Sequence, residues 1–242
     1  MWRRHGRELY RTAHGQGVVR GGLGGQWPAG VWHGGPQALD AALIDEDTSH
    51  AWYAATGQPQ APGEGSTLPV ADKEGAYSWC KAPRLDGQVV ETGALARQMV
   101  AGHPLARDMV ARDGGSVAAR VVARLLELAL VLPAMERWLG ELAPGEPWCI
   151  TAGLADETSG VGLIEAARGS LGHWLTVRRG RIHNYQIIAP TTWNFSPRDA
   201  GGQPGALEQA LAGLPANAHG QLPAAIHHVV RSFDPCMVCT VH

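Results

Sequence analysis

The sequence predicts a predominantly α fold with a small β portion, in a single domain over residues 1–242. Three observations predict it. Residues 92–142 carry apolar side chains at helical spacing. Residues 175–177, a glycine turn and residues 182–188 read as one β-hairpin. Elsewhere the chain holds most of its 32 Gly and 16 Pro, so turns and extended segments are expected around that scaffold.

Taken in order, residues 1–37 are glycine-rich and show neither period. A phosphate-binding loop at 21–25 is disfavoured, because no Gly-Lys-Ser/Thr ending and no helical pattern follow. The segment 77–84 is aromatic and basic, and Pro83 keeps Ala82 out of the α region, so a turn or extended piece is expected. Thr92 is a candidate N-cap for a short helix over Leu95, Met99 and Val100, broken by Gly102 and Pro104. Ser116 is a candidate cap for a longer helix. Its stripe of Val117, Val121, Leu125, Leu128 and Leu132 reads as core, and Pro133 is expected to kink or interrupt it. Short helices are expected at 207–214 and 224–230.

Composition narrows the function. A net charge of −2 argues against nucleic acid as the main partner. Four cysteines, Cys80, Cys149, Cys236 and Cys239, are too scattered for a disulfide scaffold. Nine Trp against two Phe suit a large buried interface, because Trp covers much area while its N–H needs an acceptor. The basic start, Arg3-Arg4, is followed by no apolar run and does not read as an export signal. The apolar stretch 117–132 is shorter than a membrane span and carries Arg120, Arg124 and Glu127. A cytoplasmic chain is therefore expected, with membrane association only through partner subunits.

The chemistry concentrates in Asp234-Pro235-Cys236-Met237-Val238-Cys239-Thr240-Val241-His242. Thiolates and imidazoles bind soft or borderline metals, and two sulfurs three residues apart can share one metal or bridge two. Alone, the spacing leaves three readings open: a metal site, a redox dithiol, or structural thiols. A thioredoxin-like dithiol needs a strand before it and a helix after it. Zinc needs a fourth ligand, for which His227 and His228 are the nearby candidates.

Three further segments sharpen this. Together with the closing Asp-Pro-Cys-x-x-Cys-x-x-His, Tyr77-Ser78-Trp79-Cys80-Lys81-Ala82-Pro83-Arg84, Glu165-Ala166-Ala167-Arg168-Gly169-Ser170-Leu171-Gly172-His173-Trp174 and Asn184-Tyr185-Gln186-Ile187-Ile188-Ala189-Pro190-Thr191-Thr192-Trp193-Asn194 occur in one order. In this the chain resembles the C-terminal half of the large subunit of nickel–iron hydrogenases. The resemblance implies that half's fold and a Ni-Fe centre whose iron carries cyanide and carbonyl. Cys236 would be a terminal nickel thiolate and Cys239 a bridge to iron. Arg168 would lie over the open side of the metals with Asp234 beside it. Pro190 and Thr191 would line the iron-ligand pocket, with Thr191 donating to a cyanide. His242 would hold magnesium or a similar ion, joined by a backbone carbonyl near Ile187, with Gln186 behind. The implied reaction is reversible heterolytic cleavage of H2, with electrons leaving through an iron–sulfur small subunit.

Two departures matter. No second C-x-x-C is present, and the family carries one in its N-terminal half, so that half is an implied partner and this chain by itself should not turn over H2. Ala167 stands where the family usually has Pro, which should loosen the loop before Arg168. The end at His242 resembles the H2-sensing branch. The alternative to an enzyme half is a maturation scaffold that carries an iron–cyanide–carbonyl unit. His173 reads as a hydrogen-bonded core histidine, and Cys80 and Cys149 as buried thiols. Lys81 and Arg84 read as solvent-facing, packing or interface residues.

Overall fold

The computed structural model describes residues 7–10, 26–145, 155–212, 214 and 224–240. Cys149 and His242 lie outside them, as does the 21–25 glycine run. Strands β1 (Arg7–Tyr10), β2 (Gly30–Trp32), β3 (Pro36–Gln37), β4 (Ile44–Asp47), β5 (Ala82–Leu85) and β6 (Val90–Glu91) come first. Helices α1 (Ala94–Ala101), α2 (Pro104–Asp113) and α3 (Val117–Gly140) follow. Then come β7 (Glu157–Ala166), β8 (Gly169–Arg178), β9 (Arg181–Ile188), and the helices α4 (Pro190–Asn194), α5 (Ala206–Leu211), α6 (Ala224–Ser232) and α7 (Met237–Thr240). The sheets run β3-β2-β1-β6, β4-β5 and β7-β8-β9. Strand content thus exceeds the one hairpin expected, and a predominantly α description is not confirmed. The chain mixes helices and sheets.

The 175–188 hairpin is present as β8–β9, turning at Arg179 and Gly180, both at positive φ. Its partner β7 was not anticipated. That strand is almost wholly exposed and contains two glycines, so no alternation betrays it. Ala166 pairs with Gly169, leaving Ala167 and Arg168 as the two-residue connection. The motif around Arg168 is therefore the tip of a hairpin. Pro83 sits in β5 opposite Glu46, whose backbone N–H and carbonyl bond outward to Gln60, so the N–H that Pro83 lacks is not needed across this pair.

Thr92 does not cap α1. Gly93, at φ 134, is the residue before the helix, and the Thr92 backbone is instead held by Asn194, whose Oδ1 accepts from the Thr92 N–H (2.9 Å) and whose Nδ2 donates to the Thr92 carbonyl (2.9 Å). Gly102 ends α1 in the left-handed region. Pro104, expected as a breaker, starts α2, since Pro at the first helical position sacrifices only an N–H without an intrahelical partner. Ser116 caps α3, accepting from the Ala119 N–H at 3.2 Å. Pro133 does not interrupt α3, which runs on to Gly140.

The cores are three small clusters. Val31, Ile44, Leu85, Val90, Trp174, Ile188 and Trp193 join the sheets to α4. Leu95, Met99, Ala106, Ala119 and Ala123 join α1, α2 and α3. Val89, Ala206, Ala210, Val229 and Phe233 seat α5 and α6. The expected core stripe of α3 faces the other way: Leu125 (58% exposed), Leu128 (60%) and Leu132 (60%) point away from this chain, with Met135 and Leu139. The inward face is Ala119, Arg120, Ala123 and Ala134. The helical period was right, but only packing decides which face is covered. No helix among the described residues is long and apolar enough to cross a membrane.

This arrangement predicts opposite outcomes on two helices. Met99→Ala should destabilise the chain by about 2–5 kcal/mol, because it opens a cavity in a closed cluster. Leu128→Ala should cost less than about 0.5 kcal/mol in the chain alone, being exposed there. Urea unfolding of the two variants checks both. Equal losses would mean that the α3 stripe is covered within the chain.

Candidate metal centre

Three remote segments meet at the end of the chain. Strand β9 leads through Ala189 into α4, where Pro190 and Thr191 are buried. The Thr191 Oγ1 accepts from the Cys236 backbone N–H at 3.1 Å, pinning the C-terminal turn to α4. That bond occupies a hydroxyl lone pair and leaves the O–H free to donate elsewhere. Cys236 and Cys239 then close one helical turn, Cys239 N–H to Cys236 carbonyl at 3.0 Å. Both thiols are free and half-buried.

The two thiols differ in acidity. A hydrogen bond from Cys239 lowers the Cys236 pKa below the usual thiol value, helped by the nearby Arg168 charge. Burial, reinforced by the bond and charge of Cys236, pushes Cys239 up to about 11. The pair therefore gives up one proton easily and the second with difficulty. A cation held between the sulfurs reverses that, because metal ligands must be deprotonated and binding expels their protons. The donor chemistry fits a soft metal.

Arg168, at the β7–β8 tip, faces this turn. Its Nε lies 3.7 Å from Asp234 Oδ1, and the two side chains are 48% and 42% exposed in this chain. Asp234 sits in the left-handed region, φ 53. For a residue with a Cβ that costs about 1–2 kcal/mol, and Asp is among the few that tolerate it. The segment before it is fixed by Arg120 and Arg124. Arg120 forms a two-pronged bond to Glu91 (2.6 and 2.7 Å) beneath the Phe233 ring (3.8 Å), and Arg124 donates to the Ser232 carbonyl at 2.6 Å.

Gln186 is buried on β9 and lies in a polar cluster. It accepts from Lys81 Nζ and Thr67 Oγ1, each at 2.8 Å, and donates to Asn184 at 2.9 Å. Lys81 also pairs with Glu46 at 3.3 Å. Burial raises the Glu46 pKa despite Lys81, and Glu46 Oε1 is buried with no hydrogen-bond partner among the described residues. Sequence reasoning passed over Glu46, whose only signal was the acidic run Asp45-Glu46-Asp47. Lys81 and Arg84 are buried, not solvent-facing; Arg84 pairs with Asp199 at 2.8 Å and donates to two loop carbonyls. Cys80 is buried as expected, its Sγ 3.5 Å from the Cys239 carbonyl. His173 is hydrogen-bonded, to Tyr185 OH at 2.7 Å, but on a surface sheet outside the core.

The structure thus brings together Arg168, Asp234, Cys236, Cys239, Pro190 and Thr191, and sets Gln186 in the neighbouring Lys81–Glu46 cluster. Among the described residues no three His, Cys, Asp or Glu side chains converge to hold a metal ion. Among the described residues the turn offers two thiols, fewer than the three or four protein ligands typical of a closed transition-metal site.

A thiol pair on a C-terminal turn, faced by a guanidinium and backed by a threonine on a strand–helix corner, is an arrangement of soft donors built from several segments. The model of the nickel-dependent hydrogenase family matches residues 34–242, so this chain belongs to the nickel-dependent hydrogenases. It is 35% identical to the periplasmic [NiFeSe] hydrogenase large subunit of Desulfomicrobium baculatum, over 86% of this chain and 44% of that protein. It is 34% identical to the hydrogenase-2 large chain of Escherichia coli (strain K12), over 82% and 40%. The Ni-Fe-Se hydrogenase structure from D. vulgaris Hildenborough superposes with a TM-score of 0.83 at 36% identity, covering 98% of this chain and 52% of that one. The chain therefore spans about half the length of the relatives it matches.

Alkylation should follow that difference in acidity. At pH 8, iodoacetamide should label Cys236 first and Cys239 and Cys80 much more slowly, since the thiolate reacts and burial holds Cys80 up to about 11. Peptide mass spectrometry against time reads the order. Labelling of Cys236 and Cys239 at one rate would rule out the difference.

Proposed function

We propose that this chain is the C-terminal half of a nickel–iron hydrogenase large subunit and contributes to reversible H2 oxidation once the other half supplies the remaining ligands. Cys236 and Cys239 are the thiolate ligands it brings, and Arg168 and Asp234 are its catalytic side chains. The observation that carries this reading is the Arg168–Asp234 pair facing the thiol turn, since a fixed cation over a metal's open side serves substrate activation. A bound nickel–iron pair supplies the site where H2 is polarised and its electrons are taken up. The residues of this chain do the rest. Arg168 holds positive charge over the open side of the site. Asp234 orients Arg168. Thr191 and Pro190 form the wall behind Cys236, with the Thr191 O–H free for an acceptor on the iron. Gln186 lies with Lys81 and the orphaned Glu46 oxygen, a polar cluster that would suit magnesium or a similar ion, and His242 is assigned as a ligand of such an ion on its motif alone.

Two partners follow. The N-terminal half of the large subunit brings the other C-x-x-C and covers the outer face of α3, where Leu125, Leu128, Leu132 and Leu139 are exposed. An iron–sulfur small subunit takes the electrons. A scaffold has no need of an activating arginine, so the Arg168–Asp234 pair favours the enzyme over a maturation scaffold.

Elemental mass spectrometry on the chain purified in its native assembly should give about one nickel and one iron per chain. Iron without nickel would sink the enzyme reading in favour of the scaffold. Arg168→Lys should keep the nickel and lower H2 oxidation at least about hundredfold, because a point charge does not replace a planar fork. Leu128→Gln with Leu132→Gln should reduce recovery of the N-terminal half in the purified assembly.

A further inference from the structure

Arg168, placed over the thiol turn, sits on a connection with little of its own to hold it. Arg168 is one of only two residues joining β7 to β8, and the other, Ala167, has no ring or branched side chain to stiffen the turn. The support lies beneath, on α1. Arg97 is 3% exposed, and each of its five N–H groups has an acceptor. Nε donates to Glu127 Oε1 at 2.5 Å and Nη2 to Glu127 Oε2 at 2.6 Å. Nη1 donates to Glu165 Oε2 at 2.9 Å. The last two donors reach the Ala166 carbonyl at 3.1 Å and the Ala167 carbonyl at 3.0 Å. These carbonyls belong to the two residues directly before Arg168.

Burial by itself lowers the Arg97 pKa, but the bonds and charges of Glu127 and Glu165 overcome that and raise it, so the fork stays charged. The contact is close on the other side of the turn as well. Gly169 has φ 139, and a Cβ there would lie 2.5 Å from Thr92 Oγ1 and 2.9 Å from the Gly93 nitrogen. The tip is thus pressed on the start of α1 and held at two of its own carbonyls by Arg97 of the same helix.

We propose that Arg97 is a positioning residue for Arg168: by fixing the Ala166 and Ala167 peptide planes, it sets where the Arg168 guanidinium sits over the thiol turn. The proposal rests on the hydrogenase reading for its catalytic consequence, but the clamp on the turn stands without it. Lysine keeps the charge and has no planar fork, so it loses the carbonyl pair while retaining attraction to the carboxylates.

The test uses the chain in its native assembly. Arg97→Lys should raise amide hydrogen exchange about tenfold or more at residues 166–170, with α2, α5 and β9 unchanged. It should lower kcat for H2 oxidation about ten- to a hundredfold at unchanged nickel content and near-constant KM, as expected when a reacting group is displaced. Adding Ala167→Pro to Arg97→Lys should restore both, because Pro suits the first central position of such a turn and stiffens it without rebuilding the ion pair. Glu127→Gln, which keeps the shape of the cluster, should act in the same direction by about threefold and serves if Arg97→Lys does not assemble. Exchange that rises throughout the chain makes Arg97 a structural ion pair only and overturns the proposal. Unchanged exchange at 166–170, or restored exchange without restored kcat, overturns it too. Absence of H2 turnover in the unsubstituted assembly would defeat the hydrogenase reading, while the exchange measurement would still decide the clamp.

Discussion

The site depends on a set of buried guanidinium groups that hold irregular backbone in place. A loop of glycine and alanine pressed against a core has carbonyls that water cannot reach, and each needs a donor. Arg97 serves the Arg168 turn, Arg84 the 197–203 loop, and Arg120 with Arg124 the segment leading to Asp234. Each of Arg84, Arg97 and Arg120 is tied to at least one carboxylate, so its charge stays compensated. Such pairs add little net stability against an apolar replacement. What they add is placement, since a planar fork accepts partners in few geometries.

This explains why the segments around the thiol turn can lie on so little hydrophobic core. The three apolar clusters are small and share no single centre. Apolar area that a self-sufficient domain would turn inward is turned outward along α3 and across β7 and β9, at Val161, Ile164, Ile182 and Ile187. The chain spans about half the length of the relatives it matches, and on the proposed reading one side of a shared core is here and the other belongs to the rest of the assembly. Glu127 and Leu128 show the division at adjacent positions of α3, one bonded to Arg97 within the chain and the next facing out.

Part of the architecture was legible because its signals are local. Ser116, Gly102 and the 175–188 pattern mark a cap, a stop and a hairpin by backbone chemistry that needs no distant partner. Thr92 misled because a buried neighbour, Asn194, competes for its backbone. The strand β7 was hidden because an exposed strand shows no apolar alternation, and α2 because Pro104 reads as a breaker until its position as the first helical residue is known.

What the sequence by itself determined is the chemistry on offer: Cys236, Cys239, Arg168, Asp234, Thr191 and Gln186 stand in ordered motifs that identify the family. Ligand type is a property of side-chain atoms, and motif spacing records it. The tertiary structure alone decided which groups meet. Glu46 joins Lys81 and Gln186 across 140 residues, and Arg97 reaches the turn of Arg168 across about 70. Those contacts follow from how strands and helices pack in space, a relation that no periodicity along the chain encodes.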